Sequence, residues 1–150
     1  MVLDKILRFL NKDEIKEEDM SQKAKASLFI LSTSFRPIRI NARKDNQIDL
    51  IIKIKNKTAQ EQLCSVVIYV PTELGLDSMT LSKSKEFRLG NLKSGEEKEL
   101  IVPIYANTQT PPANYRLIVA ANAHYRDYNH IINSARKKIE LRAVWKSRIN

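Results

Sequence analysis

Tyr125, Asp127 and His130 stand together in one short polar stretch, YRDYNH, running from Tyr125 to His130. A carboxylate close in sequence to an imidazole is the smallest unit of proton relay, and a tyrosine hydroxyl adds a donor beside it. If the chain holds a hydrolytic site, this is where its residue types gather; the competing reading is an ordinary hairpin turn. Elsewhere the chemistry thins out. Cys64 is the single cysteine and sits among Leu63, Val66 and Val67, the setting of a buried structural thiol. His124 and His130 are the two histidines, and neither their His-x5-His spacing nor a lone cysteine matches a zinc-ligand pattern. His124 takes the outward parity of its segment and is expected to be solvated, whereas Tyr125 takes the inward parity. The acidic runs Glu17, Glu18, Asp19 and Glu96, Glu97, Glu99 read as solvated surface. With only Gly75, Gly90 and Gly95, the chain has neither a Walker loop nor a dinucleotide fingerprint. The expectation is therefore a non-enzymatic protein without metal or cofactor.

Charge is the next signal. The chain carries a formal net charge of +9, which favours anionic partners: nucleic acid, anionic lipid or an acidic protein. Near its end, Arg136, Lys137, Lys138, Arg142, Lys146 and Arg148 stand against Glu140 alone. Arg36, Arg39, Arg43 and Lys44 would join them in one basic face if the first and last strands pair. Clustered Lys and Arg suffice for phosphate contact. Tyr125, Tyr128 and Trp145 could stack on bases, but they are not interleaved with the basic run.

The elements that must position these residues come from hydropathy. Over Asp49–Thr58, Lys98–Asn107, Asn114–Tyr125 and Lys137–Val144 the apolar residues fall on alternate positions. This is the pattern of strands with one face buried and the other wet. Leu63–Pro71 is more continuously apolar, as expected of a central strand. Turn signals separate the runs at Asp45–Asn46, Asn56–Gln60, Lys93–Gly95, Pro111–Pro112 and Asp127–Ser134. Pro37 marks an edge or a break between two half-strands, with Ile38 and Ile40 beyond it. The predicted fold is an all-β, immunoglobulin-like antiparallel sandwich of about seven strands over residues 26–150.

Before it, Val2, Leu3, Ile6, Leu7, Phe9 and Leu10 make one apolar face of a short amphipathic helix, followed by a charged linker to residue 25. That helix is a candidate docking element for the sandwich itself, a second copy or a membrane surface. No apolar run approaches the roughly 20 residues of a bilayer span, and Asp4, Lys5 and Arg8 interrupt what would be a signal peptide. The expected location is cytoplasmic, with possible peripheral contact at the membrane.

Several turns together carry a resemblance. Ile54–Thr58 ends a strand in Asn-Lys-Thr, and Val70–Pro71 ends the next. Leu89-Gly90-Asn91-Leu92-Lys93-Ser94-Gly95-Glu96-Glu97 introduces another strand, and Pro111-Pro112-Ala113-Asn114-Tyr115-Arg116-Leu117 introduces the one after. This order resembles the immunoglobulin-like domains of the CARDB/NEW3 type, common in archaea and bacteria, over about residues 38 to 144. Their pattern places Gly where this chain has Ala113–Asn114. The resemblance implies an adhesive, docking or spacer module. The expected function is an interaction or adaptor module that binds a protein partner through a sheet edge or the loops at one end, with the N-terminal helix as docking or homo-oligomerisation element. The alternative is an anion-binding protein that uses the basic C-terminal strand and the N-terminal helix on nucleic acid or an anionic membrane surface.

Overall fold

The computed structural model describes residues 27–145, so the predicted N-terminal helix and its residues Val2, Leu3, Ile6, Leu7, Phe9 and Leu10, together with Lys146 and Arg148, lie outside the described residues. Within them run eight strands: β1 (Phe29–Arg36), β2 (Arg39–Asn41), β3 (Asn46–Asn56), β4 (Gln62–Tyr69), β5 (Ser84–Leu92), β6 (Glu97–Ala106), β7 (Ala113–His124) and β8 (Ile131–Val144). They form a three-stranded sheet, β1-β3-β6, and a five-stranded sheet, β2-β8-β7-β4-β5. This is the all-β sandwich that the alternation predicts, with one strand more. The extra strand arises at Pro37, which divides the first apolar run so that β1 joins one sheet and β2 the other. β2 runs parallel to β8, so the sandwich is not wholly antiparallel.

Alternation fixes which side chains meet. Leu50, Ile52 and Ile54 of β3, Val102 and Ile104 of β6, Val66 and Ile68 of β4, Leu117 and Val119 of β7 and Leu141 of β8 all lie between the sheets, 2% exposed or less. The opposite face of β3 is mostly charged or polar, with Ile51 alone buried on it, and the register sets Lys53 across from Glu99, Lys55 across from Glu97 and Arg36 across from Asp49. Opposite charges directly across a pair favour this register, and a slip of one residue would turn the core side chains out to water. Ile38, read as a strand position, is instead 72% exposed in the connection between β1 and β2.

The recurring turns have physical jobs. Asn56, fully buried, donates to the carbonyls of Gln60 and Leu92 and accepts from Thr58 N–H and Thr58 Oγ1, which ties the β3–β4 turn to the end of β5. Gly95 takes a left-handed φ of 77° and donates its N–H to the Asn56 carbonyl, while Glu96 accepts from Lys93 N–H. At the other end of the sandwich, the hydroxyl of buried Tyr115 donates back to the Pro111 carbonyl. A tyrosine at the start of this strand that bonds a few residues upstream is the corner found in immunoglobulin-like sandwiches.

Candidate functional site

Two ends and one edge of the sandwich carry the residues of interest. At one end, β7 and β8 are joined by the loop 125–130, and the ladder slips there: Ala123 faces Asn133 but His124 faces Ile131, so Ile132 is the extra residue of a bulge. Within the loop, Arg126 takes a left-handed φ of 71°. Tyr125 is 54% exposed and does not face inward as its parity predicts. Ile131 and Ile132, both 57% exposed, extend the apolar surface of the tip.

His124 departs from expectation in the opposite sense. Its parity is outward, yet it is only 4% exposed, because Tyr128 folds back over it with ring centroids 5.0 Å apart at 67°. The guanidinium of Arg88 covers the other side of the Tyr128 ring at 4.6 Å, and the Tyr128 hydroxyl accepts the Gly90 N–H at 3.0 Å. Beneath this roof, Ser65 Oγ and His124 Nε2 are 2.7 Å apart. This serine–histidine pair was not legible in the sequence, since its members lie on different strands. Ser65 is fully buried, so the pair links β4 to β7 within the sheet and presents no nucleophile to solvent.

Burial pushes the His124 imidazole below its ordinary value, with Glu86 pulling the other way. The folded protein therefore keeps His124 neutral at pH values where the unfolded chain takes up a proton, beginning near 6.5. Stability from this group is complete above about pH 6.5 and is lost as pH falls toward the lowered folded-state value. Urea-unfolding midpoints between about pH 8 and 5 should fall with acidification, and His124→Gln should flatten that fall. An unchanged slope in the variant would refute the assignment.

Asp127 and His130 do meet, with Asp127 Oδ1 2.8 Å from His130 Nδ1, and this hydrogen bond is the leading reason the Asp127 carboxyl is held below its ordinary value. Asp127 also accepts the Asn129 N–H, the bond of an Asx turn. Both side chains are more than half exposed, at 56% and 65%. Among the described residues, no cluster of three or more His, Cys, Asp or Glu side chains is placed to hold a metal ion. Cys64 is buried as expected, and burial pushes its thiol up to about 12.

The basic residues divide by strand parity. Arg136, Lys138 and Arg142 lie on the exposed face of β8, whereas Lys137 falls on the inward parity beside Ala135 and Ile139 and is half-buried. The first and last strands do pair, which sets Arg39 directly beside Arg142. Arg116 of β7 faces Glu140 on the same surface. β2 covers only Arg142–Val144, so no described strand pairs with the other side of β8 from Ile131 to Leu141. At the foot of this face, Pro112, Asn114, Arg142, Val144 and Trp145 line an open groove of about 420 Å³.

No protein-family model matches the chain, and no curated protein matches it in sequence. Solved structures do resemble it. Native α2-macroglobulin from Escherichia coli, in a crystal structure running from one of its domains to the C-terminus, is 16% identical over 77% of this chain, with a TM-score of 0.56. The native conformation of the same protein solved by electron microscopy gives 16%, 77% and 0.54. The chain spans 17% and 7% of the lengths of those two structures. A CARDB domain from Pyrococcus furiosus, solved in complex with di-metal ions, is 16% identical over 79% of this chain and 91% of its own, with a TM-score of 0.47. The likeness is one of fold.

Proposed function

We propose that this chain is a non-enzymatic docking module that takes an extended, acidic segment of a protein partner onto the free side of β8, with the hairpin tip gripping its side chains. The observation that carries this reading is the length of open edge. β2 pairs with Arg142–Val144 of β8, no described strand lies against that side along Ser134–Leu141, and this stretch continues toward the exposed Ile132, Ile131 and Tyr125 of the hairpin. An unpaired strand offers a row of backbone donors and acceptors that an added strand can satisfy. Lys137, charged and on the inward parity, is the kind of residue that discourages indiscriminate edge pairing. With Arg136 and Lys138 beside it, the edge favours an acidic guest over a second copy of a basic chain. A catalytic role finds little support: Ser65 is sealed under Tyr128, and Asp127 and His130 form an exposed turn.

The test is selection of peptides from a random displayed library on the immobilised full-length protein, followed by amide chemical-shift mapping of the binders. Acidic peptides should perturb Ile131–Leu141 and Tyr125, and Ile131→Ser with Ile132→Ser should weaken them at least about tenfold. Binders that map to the opposite edge, or an unaffected double variant, would sink the proposal.

A second reading has its own observation. Arg39 and Arg142 are register neighbours on one exposed face, where like charges side by side are unfavourable unless an anion lies between them. Arg116, Arg136 and Lys138 share that face, which would suit an anion-binding surface.

A further inference from the structure

The end of the sandwich opposite the hairpin tip is built with more internal bonding than a simple connection needs. The loop 70–83 joins β4 to β5, and the Lys83 ammonium reaches back into it to donate to the carbonyls of Thr72 at 2.9 Å, Leu74 at 2.5 Å and Thr80 at 2.7 Å. Asp77 Oδ1 accepts the N–H groups of Leu81 and Ser82 at 2.8 and 3.1 Å. Thr80, a β-branched residue, is held at a left-handed φ of 53°, and its hydroxyl oxygen accepts from Asn107 Nδ2 at 2.7 Å. Thr110 then ties this loop to its neighbours: its hydroxyl donates to the Glu73 carbonyl, and its own carbonyl accepts the Arg43 N–H, each at 2.8 Å.

What this frame presents is apolar. Met79 and Leu81 flank the strained Thr80 and are 69% and 73% exposed. Trp145, 59% exposed, borders the groove at the same end. At the same end, across the sheet from this loop, the exposed Arg39, Arg43, Lys44 and Arg142 lie on or beside β2 and β8. The acidic groups at this end are Asp45, Glu73 and Asp77, of which Asp77 is already engaged by two backbone donors.

We propose that this end of the sandwich docks on an anionic lipid surface, with Met79 and Leu81 entering the headgroup layer and Arg39, Arg43, Lys44 and Arg142 at the same end meeting lipid phosphates. Two side chains on a projecting tip cannot provide the roughly 1,000 Å² of complementary contact that a specific protein interface needs. A lipid surface accepts them without a matching pocket, and basic residues near its plane strengthen the contact additively. Tryptophan at the same end suits the interfacial layer. The basic rim rests on the anion-binding reading; the apolar tip does not.

The experiment is sedimentation of the full-length protein with phosphatidylcholine vesicles, with and without phosphatidylserine, beside binding to soluble heparin. The parent should sediment with the anionic vesicles and release as salt rises. Met79→Ser with Leu81→Ser should reduce vesicle affinity at least about tenfold while leaving heparin binding and the melting curve unchanged. A fluorophore on Met79→Cys should shift its emission to the blue on anionic vesicles; Cys64 will not compete for the label because it is buried. A parent that ignores vesicles, or a double variant that sediments like the parent, overturns the proposal. Binding to heparin but not vesicles overturns it too, while sparing the anion-binding reading.

Discussion

Gly75→Ala is expected to lower the unfolding free energy by about 3 kcal/mol, at the upper end of what an overpacked site costs. A methyl group at Gly75 would stand 2.2 Å from Thr80 Cα and 2.9 Å from its carbonyl carbon. These are backbone atoms, so no side-chain rotation relieves the clash. Gly75 also exchanges two backbone hydrogen bonds with Tyr105, at 3.0 and 2.8 Å, which fasten the loop 70–83 to the outer side of β6. The loop must open at one of these places, and Leu74 and Leu76, both buried, move with it. Gly90→Ala is the control. Its φ of 78° disfavours a side chain, but nothing lies within 4 Å of the added methyl, so the cost should be about 1 kcal/mol. Urea unfolding of both variants measures the difference; equal midpoints would refute the packing argument.

Thr110→Val should cost about 1–3 kcal/mol, since it removes a hydroxyl that serves two partners while keeping the side-chain shape. Thr110 is fully buried. Its oxygen accepts the Asn107 N–H at 2.9 Å and its proton goes to the Glu73 carbonyl at 2.8 Å. Valine leaves the N–H of half-buried Asn107 without that partner, at a penalty of about 1–3 kcal/mol, whereas the carbonyl of exposed Glu73 can turn to water. Because Thr110 joins three connections, the loss should spread. Amide exchange should quicken in 42–45, 72–82 and 107–110, and stay unchanged at the hairpin end, around Asn56. Acceleration confined to Thr110 itself would show that the loops hold without it.

The core was the most legible part of this fold, because a period of two is enough to name Leu50, Ile52, Ile54, Leu117 and Val119 as inward. The edges were less legible: Pro37 marks the end of β1, which borders its sheet, but β8 is an inner strand that β2 covers only at its end, and alternation carries no sign of that. Parity failed where the ladder slips. One extra residue at Ile132, and a tyrosine folded back from the loop, were enough to expose Tyr125 and bury His124. No local pattern announces such a roof. The frame of the loop 70–83 was hidden in another way. Lys83 reads as one more surface lysine, and only the folded chain brings three carbonyls to its ammonium. The corner at Tyr115 did have a signal, in the Pro-Pro-Ala-Asn-Tyr turn that carries the resemblance.

The parallel pairing of β2 with β8 has a mechanical consequence. The chain enters the sandwich through β1 and β2 and leaves it through β8. Arg39, Ile40 and Asn41 run alongside Arg142, Ala143 and Val144 in the same direction. Tension applied to the two flanks therefore pulls these strands lengthwise past one another, and the bonds between them bear the load together. A hairpin pulled at its open end, by contrast, yields one bond at a time. The β1–β3 ladder is loaded along its length in the same way. A module placed between a moving partner and a fixed surface would transmit force along its long axis before it gave way.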